Sequence, residues 1–451
     1  MKRKLTAREI ISVASMLFGM FFGAGNLIFP VYMGQMAGRN VWPALIGFLV
    51  TGVGLPLLAV AALGVSRSDG LYSLSAKVGR PYGYFFTCLL YLTIGPFFAI
   101  PRCASVSYTV GLHPLLGGEA AAARWPLFLF SLVFFVAVLL FSLYPGKILT
   151  WIGKILNPFF LLFLGILIVV ALTHSTAAIS DAAAVGEYGT QPLARGFLDG
   201  YNTMDTLAGL AFGIVVVQVI RGLGIQEAGA VAGATVRSGA ISCAAMAVIY
   251  AAVTLAGAQS QALFADSGNG GVLLAQMADR FLGKAGLVIL AITVTLACLK
   301  TAVGLVTSCG ETFVAMFPKG PGYSAWAVIF SAVSLLFANL GLDAIIGYSV
   351  PVLMFLYPLA ITLIALALGG RLFGHDRAVY VSVTAFTLIG AVYDLLRTLP
   401  DGLRASLRLD GALGAVGGVL PLSGYGLGWV CPAAAGLAVG LIVHFARKKT
   451  A

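Results

Sequence analysis

Long apolar runs separated by short polar segments follow one another along almost the whole chain. A helix needs about twenty apolar residues to cross a hydrocarbon core of ~30 Å, and windows of that kind occur at about twelve places. The pattern predicts an all-α integral membrane protein of about 12 transmembrane helices. These predicted spans, numbered 1 to 12 in chain order, lie near residues 9–36, 42–64, 81–112, 125–143, 147–173, 195–221, 236–259, 285–316, 323–340, 343–369, 377–396 and 418–446.

Spans 1 and 6 are both interrupted in their middle by polar residues and glycines. The break in span 1 reads Phe21-Phe22-Gly23-Ala24-Gly25-Asn26, and the one in span 6 lies within residues 199–209 and contains two carboxylates. Backbone groups freed in hydrocarbon cost several kcal/mol each unless a partner satisfies them. Because five spans separate the breaks, the second unit enters from the opposite face, which predicts an inverted repeat with a binding site between its halves. The alternative is that Gly19 and Gly23 serve only close helix packing.

Composition and charge agree with a membrane protein and exclude several other classes. The chain has 451 residues, of which 60% are hydrophobic and 10% charged, whereas soluble domains carry about 25% charged residues. The net charge of +11 does not indicate nucleic-acid binding, because the basic residues lie mostly in short loops. Their excess on one side predicts both termini in the cytoplasm. The six cysteines contain no CxxC pair, so neither a zinc site nor a disulfide framework is predicted.

Three motifs in order resemble a known family. The run from Phe21 to Pro30 closely resembles the first span of the bacterial branched-chain amino acid:cation symporter family, as do residues 95–102 in span 3 and 296–305 in span 8. The resemblance extends from roughly residue 6 to 445. It implies the amino acid–polyamine–organocation superfamily and a LeuT-type 5+5 inverted repeat with broken helices 1 and 6. The repeats would occupy 1–173 and 195–369, and two additional helices 377–446.

The resemblance also implies a function. Members of the family import leucine, isoleucine and valine, usually with sodium, so we expect a secondary transporter of the bacterial inner membrane that works by alternating access. Its partners would be the small-molecule amino acid and the lipid bilayer, with no cofactor, no nucleic acid and no obligatory protein partner. An apolar amino acid of another specificity is the alternative substrate.

The candidate substrate-binding residues lie at the two breaks: Ala24, Gly25, Asn26, Tyr201, Asn202, Thr203 and Asp205. The half-helix after the first break presents its positive end and free N–H groups, which suit a carboxylate. By resemblance, the amides of Ala24 and Gly25 hold that carboxylate, and Asn26 could add a side-chain oxygen for the neighbouring cation. Freed carbonyls in span 6 suit the substrate ammonium, with Asp205 as counter-ion or proton carrier. Alternatively, Asp205 lies nearer the outer water.

A candidate cation site is implied by the same resemblance. The carbonyls of Gly19, Phe22 and Ala297, with the side chains at positions 300 and 301, would hold sodium. The family pattern usually has two threonines there, but this chain has Lys300-Thr301. Lys300 lies about fifteen residues, or ~22 Å along the helix, from either end of its span, which is too far for its ammonium to reach the interface.

An unpaired charge at that depth costs ~2.5 kcal/mol or more, so we expect Lys300 to face a polar cavity. We hypothesise that its ammonium replaces sodium, which would make transport sodium-independent or proton-coupled. Otherwise Lys300 points elsewhere and the protein is a conventional sodium symporter.

One further basic residue falls inside a span. Arg102 could pair with a carboxylate as an outer gate, or it could extend to the membrane interface. An enzyme is not predicted, because the four histidines lie near span ends and no HExxH, GxSxG or Walker A motif occurs. The two broken helices favour a carrier over a channel, and the short segment after span 6 argues against a major facilitator fold.

Overall fold

Helices joined by short loops make up the part of the protein that its computed structural model describes. That part is residues 5–450, except residues 24, 67, 69, 117–122, 124, 175–177 and 265–266, and it contains no strand. Ten helical stretches in it are long and apolar enough to cross a membrane, and Tyr323–Ala338 is a shorter apolar helix. One of the ten, Gly25–Val65, includes the second half of span 1 and all of span 2. With the first half of span 1, the helices therefore correspond to the twelve predicted spans.

The helices have the following bounds. Span 1 is divided into span 1a (Ala7–Phe21) and span 1b (Gly25–Ala37), and span 6 into span 6a (Pro192–Tyr201) and span 6b (Asp205–Gly222). Spans 2, 3 and 5 contain π-helical turns and occupy residues 41–65, 80–112 and 149–174. The remaining spans are 4 (Trp125–Ser142), 7 (Ala228–Ser260), 8 (284–316), 9 (Tyr323–Ala338), 10 (Leu342–Gly369), 11 (Arg377–Arg397) and 12 (Val430–Thr450).

Two predicted boundaries are wrong. Span 12 begins at Val430 instead of residue 418, because the chain turns through left-handed backbone at Leu422 and Gly426 after a separate helix, Asp410–Val419. Span 7 begins eight residues earlier than predicted, at Ala228, because residues 228–235 are rich in alanine, the residue that favours a helix most, and continue the helix. Before span 8, residues 270–282 form a further helix that ends where Gly283 has φ of +58°.

Local chemistry explains both breaks. In span 1, the N–H of Phe22 is the last to bond back into span 1a, and the N–H of Gly23 donates to Asn26 Oδ1 at 2.9 Å. Asn26 thus satisfies a backbone group that the unwinding frees. In span 6, Met204 has φ of +64°, a left-handed conformation that is strained for a residue with a side chain and that ends span 6a before Asp205 starts span 6b.

Spans 1, 2, 6 and 7 pack with their backbones in close approach. A Cβ on Gly257 of span 7 would lie 2.0 Å from the carbonyl oxygen of Val31 in span 1b, and a Cβ on Gly196 of span 6a would lie 2.0 Å from that of Ala44 in span 2. Small residues allow such contacts, which drive helix association in lipid. These four spans therefore form one tightly packed bundle.

Candidate functional site

The two breaks meet in the middle of the protein through a buried polar cluster. Asn26 Nδ2 donates to both carboxylate oxygens of Asp205, at 3.0 and 2.8 Å, and the hydroxyl of Tyr250 donates to Asp205 Oδ2 at 2.5 Å. All three side chains are buried, where a carboxylate without hydrogen bonds would be very costly. Asp205 therefore joins spans 1, 6 and 7, and it lies inside the protein and not near the outer water.

Arg102 reaches from span 3 to both breaks. Its side chain is 3% exposed, Nη1 donates to the carbonyl of Asn202 at 2.9 Å, and its guanidinium carbon lies 5.4 Å from the centre of the Phe29 ring. A Cβ on Gly25 would lie 2.9 Å from Nη2 of the same arginine. Arg102 is thus directed inward and does not extend to the membrane interface. Its recorded hydrogen-bond acceptor is a backbone carbonyl and not a carboxylate.

The other predicted substrate-binding residues have varied surroundings. The carbonyl of Tyr201 accepts from the N–H of Met204 at 3.0 Å, and the Tyr201 ring stacks on Tyr357 of span 10 at 3.9 Å. The hydroxyl of Thr203 donates to the carbonyl of Gly200 at 2.8 Å. Ala24 lies outside the described residues. The structure therefore brings Gly25 and Asn202 together around Arg102, whereas the side chain of Tyr201 faces span 10.

The residues of the predicted cation site lie where span 1a meets span 8. The hydroxyl of Thr301 donates to the carbonyl of Gly19 at 3.5 Å, and a Cβ on Gly23 would lie 2.8 Å from Thr301 Oγ1. Phe22 and Ala297, whose carbonyls the sequence also assigned to the site, are fully buried. A Cβ on Gly19 would lie 3.6 Å from Lys300 Cδ, so the lysine side chain passes beside Gly19.

The Lys300 ammonium lies in a mainly aromatic environment and not in the polar cavity that the sequence led us to expect. The residue is 0% exposed, Nζ donates to Asn157 Oδ1 at 3.0 Å, and it lies 3.5 Å above the centre of the Phe160 ring. The centre of the Phe18 ring, in span 1a, lies 5.6 Å from the same Nζ. No ion pair is recorded for Lys300 among the described residues. One amide oxygen and two ring faces therefore replace a counter-ion.

Asn157 connects Lys300 to span 1a. Its Nδ2 donates to Ser15 Oγ at 2.9 Å, and Ser15 donates in turn to the carbonyl of Gly153 at 2.8 Å. The sequence analysis did not identify Asn157, Phe160, Ser15 or Tyr250. Asn157 could have been found, because an asparagine inside an apolar span is a polar residue at membrane depth, as Lys300 is. Phe160 carries no such signal, because the chain has 29 phenylalanines.

Comparison with known families decides the class of protein. The chain matches, over residues 6–447, the model of the family described as branched-chain amino acid transport protein. The chain belongs to this family.

Curated relatives match over all or nearly all of their length. The chain is 50% identical to the branched-chain amino acid permease BrnQ of Lactobacillus delbrueckii subsp. lactis, over 100% of both chains. It is 40% identical to the permease of the same name in Bacillus subtilis, again over 100% of both. It is also 40% identical to the branched-chain amino acid transport system 2 carrier protein of Pseudomonas aeruginosa, over 96% of this chain and 95% of that one.

Solved structures confirm the fold. The crystal structure of MhsT in complex with L-phenylalanine aligns with a TM-score of 0.60 and 16% identity, over 99% of both chains. The closed structure of Mhp1, a nucleobase-cation-symport-1 family transporter, aligns with a TM-score of 0.59 and 12% identity, over 98% of this chain and 93% of that one. Likeness at this identity concerns the fold alone, and it confirms the predicted LeuT-type architecture.

Proposed function

We propose that this protein imports branched-chain amino acids across the bacterial inner membrane by alternating access, with both termini in the cytoplasm. The names of the full-length relatives support the substrate class. The meeting of two broken helices at Arg102, Gly25 and Asn202 supports a central site, because it leaves backbone groups of both breaks beside one another. The excess of basic residues in loops on the terminal side supports the orientation.

The bundle of spans 1, 2, 6 and 7 would rock against the remaining spans. Among the polar contacts that connect it to them, one set lies towards each face of the membrane. On the outer side, Arg102 of span 3 holds the carbonyl of Asn202. On the cytoplasmic side, Ser15 of span 1a contacts Gly153 and Asn157 of span 5. Opening to either side would break one of these sets of hydrogen bonds and leave the other in place.

Lys300 supports coupling that does not use sodium. The side chain of Lys300 is fully buried and passes beside Gly19, whose carbonyl belongs to the position where sodium would bind, and it ends in a tethered positive charge. We infer that Lys300 takes the place of the sodium ion and that transport is driven by protons or runs down the substrate gradient. A conventional sodium symporter remains the second candidate, because Thr301 Oγ1 and the Gly19 carbonyl oxygen still lie 3.5 Å apart.

Uptake of isoleucine into proteoliposomes separates these candidates. Purified protein would be given an inward sodium gradient in one arm and an inward proton gradient in the other. We expect accumulation with protons alone, or simple equilibration in both arms. Accumulation driven by sodium would contradict the role of Lys300. Excess leucine and valine should compete with isoleucine, whereas excess alanine should not. Failure of all three branched-chain amino acids would refute the substrate class.

Lys300→Thr restores the threonine pair that the family pattern usually has. If the ammonium replaces sodium, this variant should gain sodium-stimulated uptake. Lys154→Thr is the matched control, because it makes the same change at an exposed position of span 5. The control should behave as the wild type does under both gradients. Unchanged ion dependence in a folded Lys300→Thr protein would contradict the proposal.

A further inference from the structure

A groove lies on the membrane-facing surface of the protein between spans 10 and 12. Its volume is about 330 Å³. The small residues Ala365 and Gly369 of span 10 and Ala434 of span 12 leave this space, and the buried side chain of Val383 in span 11 forms its floor. Ala365, Ala434 and Leu437 are exposed at its edges. The groove is therefore open to the surrounding lipid.

The described wall of the groove offers no free hydrogen-bond donor from a side chain. Thr362 is the one polar residue of that wall, and its hydroxyl already donates to the carbonyl of Pro358 at 2.9 Å. A polar ligand such as an amino acid would lose hydrogen bonds to water here without gaining others, which is unfavourable. A hydrocarbon chain meets no such cost. The groove is therefore suited to an acyl chain.

Two basic side chains lie at the end of the groove that is cytoplasmic under the proposed orientation. Arg371 belongs to the turn Gly370–Phe373, which contributes Leu372 to the wall. Lys448 comes two helical turns after Leu441 of the groove, so it lies on the same face of span 12, ~10 Å further along the axis. Both basic side chains are exposed. Neither takes part in an ion pair recorded for the described part of the chain.

The loop between spans 10 and 11 leaves this end of the groove positively charged. Partial burial lowers the pKa of His375 in that loop, and Lys77 and Arg371 lower it further, because their positive charges disfavour another charge beside them. Asp376 is the one acidic residue of the loop. Its carboxylate is already paired with His444 at 2.7 Å. The loop therefore has no free carboxylate for Arg371, and an anion from outside the chain can bind there.

An apolar groove that ends in positive charge at the membrane surface matches a phospholipid with a negative headgroup. The other occupant of a membrane-facing groove would be a second copy of this chain. In a two-fold dimer the same face of both copies meets, so one concave groove would face another and the basic side chains of the two copies would approach one another. Unfilled space and like charges both disfavour that arrangement. Charge complementarity therefore favours the lipid.

We propose that this groove binds an anionic phospholipid of the cytoplasmic leaflet. One acyl chain lies between spans 10 and 12, and the phosphate group lies between Arg371 and Lys448. The lipid thereby connects span 12, which lies outside the inverted repeat, to the last span of that repeat. This inference goes beyond the proposed function, from which it takes only the orientation in the membrane.

Native mass spectrometry of the purified and delipidated protein tests the headgroup. The probes are phosphatidylglycerol and phosphatidylcholine with the same acyl chains, which differ in net charge. We expect phosphatidylglycerol to bind with a dissociation constant at least about tenfold lower, since basic residues at the membrane surface attract anionic lipids. The double variant Arg371→Gln with Lys448→Gln should remove most of this preference. Lys147→Gln with Lys319→Gln is the matched control, because it removes two exposed positive charges from other cytoplasmic loops and should keep the preference.

A second pair of variants tests the groove itself. Ala434→Trp fills it without altering a charge and should weaken the binding of both lipids about tenfold. Ala435→Trp is the matched control, because this neighbouring alanine of span 12 is exposed but does not line the groove.

Three outcomes would overturn the proposal. They are equal dissociation constants of the two lipids in the wild type, wild-type binding in Ala434→Trp, and a wild-type dimer that Ala434→Trp separates into monomers, which would place a second copy in the groove. If Ala434→Trp does not fold, the double glutamine variant decides the question. Because these measurements involve no transport, their failure leaves the proposed function untouched, and a lack of isoleucine uptake would leave the lipid site untouched.

Discussion

The hydrogen bond between Lys300 and Asn157 can be isolated by a double-mutant cycle. Asn157→Leu removes the amide oxygen that Nζ contacts at 3.0 Å, and Lys300→Met removes the ammonium while keeping an unbranched side chain. Asn157→Leu also breaks the bond from Asn157 to Ser15. That second loss occurs in both backgrounds, so the cycle cancels it and leaves the term between the two residues.

The structure sets the expected magnitude. Lys300 is 0% exposed, so water cannot replace the lost acceptor. The Phe160 ring at 3.5 Å still stabilises the charge in Asn157→Leu, so the cost comes from the hydrogen bond alone. A hydrogen bond to a charged group contributes about 1.5–3 kcal/mol. We therefore expect Asn157→Leu to cost that much more in the wild-type background than in Lys300→Met.

The assay is reversible unfolding of the purified protein in mixed micelles with increasing SDS, followed by loss of helical circular dichroism. Ser15→Ala provides a reference, because it removes two bonds between neutral groups, one from Asn157 and one to the carbonyl of Gly153. Such bonds between membrane helices average about 0.6 kcal/mol each. If the single variants add to within about 0.5 kcal/mol, the reasoning is refuted and Lys300 gains nothing from Asn157.

Two further substitutions test close approaches of the backbone. Gly257→Ala should lower the free energy of unfolding by about 1–3 kcal/mol, because its Cβ would lie 2.0 Å from a carbonyl of span 1b. In Gly233→Ala, a control in the same helix, the new Cβ meets nothing within 4 Å, so this variant should be neutral or stabilising by about 0.5–1 kcal/mol. If the two variants change the free energy of unfolding in SDS equally, the close approach of Gly257 to span 1b is refuted. Gly25→Ala should reduce isoleucine uptake at least tenfold, because its Cβ would displace Arg102 from the Asn202 carbonyl; wild-type uptake kinetics would contradict this.

Features that depend on one continuous stretch of residues could be predicted from the sequence. The helical class, the breaks in spans 1 and 6 and the depth of Lys300 follow from runs of apolar residues and from glycine or charge inside them. Span 12 was placed incorrectly because residues 410–419 form a helix of their own, and an apolar run alone does not reveal that a turn at Leu422 divides it.

The surroundings of Lys300 could not be predicted in the same way. They depend on how spans 1a, 5 and 8 rotate about their axes and which faces they bring together. Asn157 lies 143 positions from Lys300 in the chain. A rotation of span 5 about its axis by roughly 100°, the angle between successive residues, would put an apolar neighbour against the ammonium instead. The sequence shows that a charge at this depth needs a partner, but it does not show whether a carboxylate, an amide or an aromatic ring provides it.

The position of Asn157 gives the proposed coupling a physical route. One end of its amide accepts from Lys300, and the other end donates to Ser15 on span 1a. Hydrogen bonds in such a chain polarise one another, so a change in charge at Lys300 alters the strength of the bond that holds span 1a to span 5. If the bundle rocks during transport, span 1a must leave this position for the cytoplasmic side to open. Lys300 therefore needs no direct contact with the substrate to influence that step, since a single amide connects it to the helix that moves.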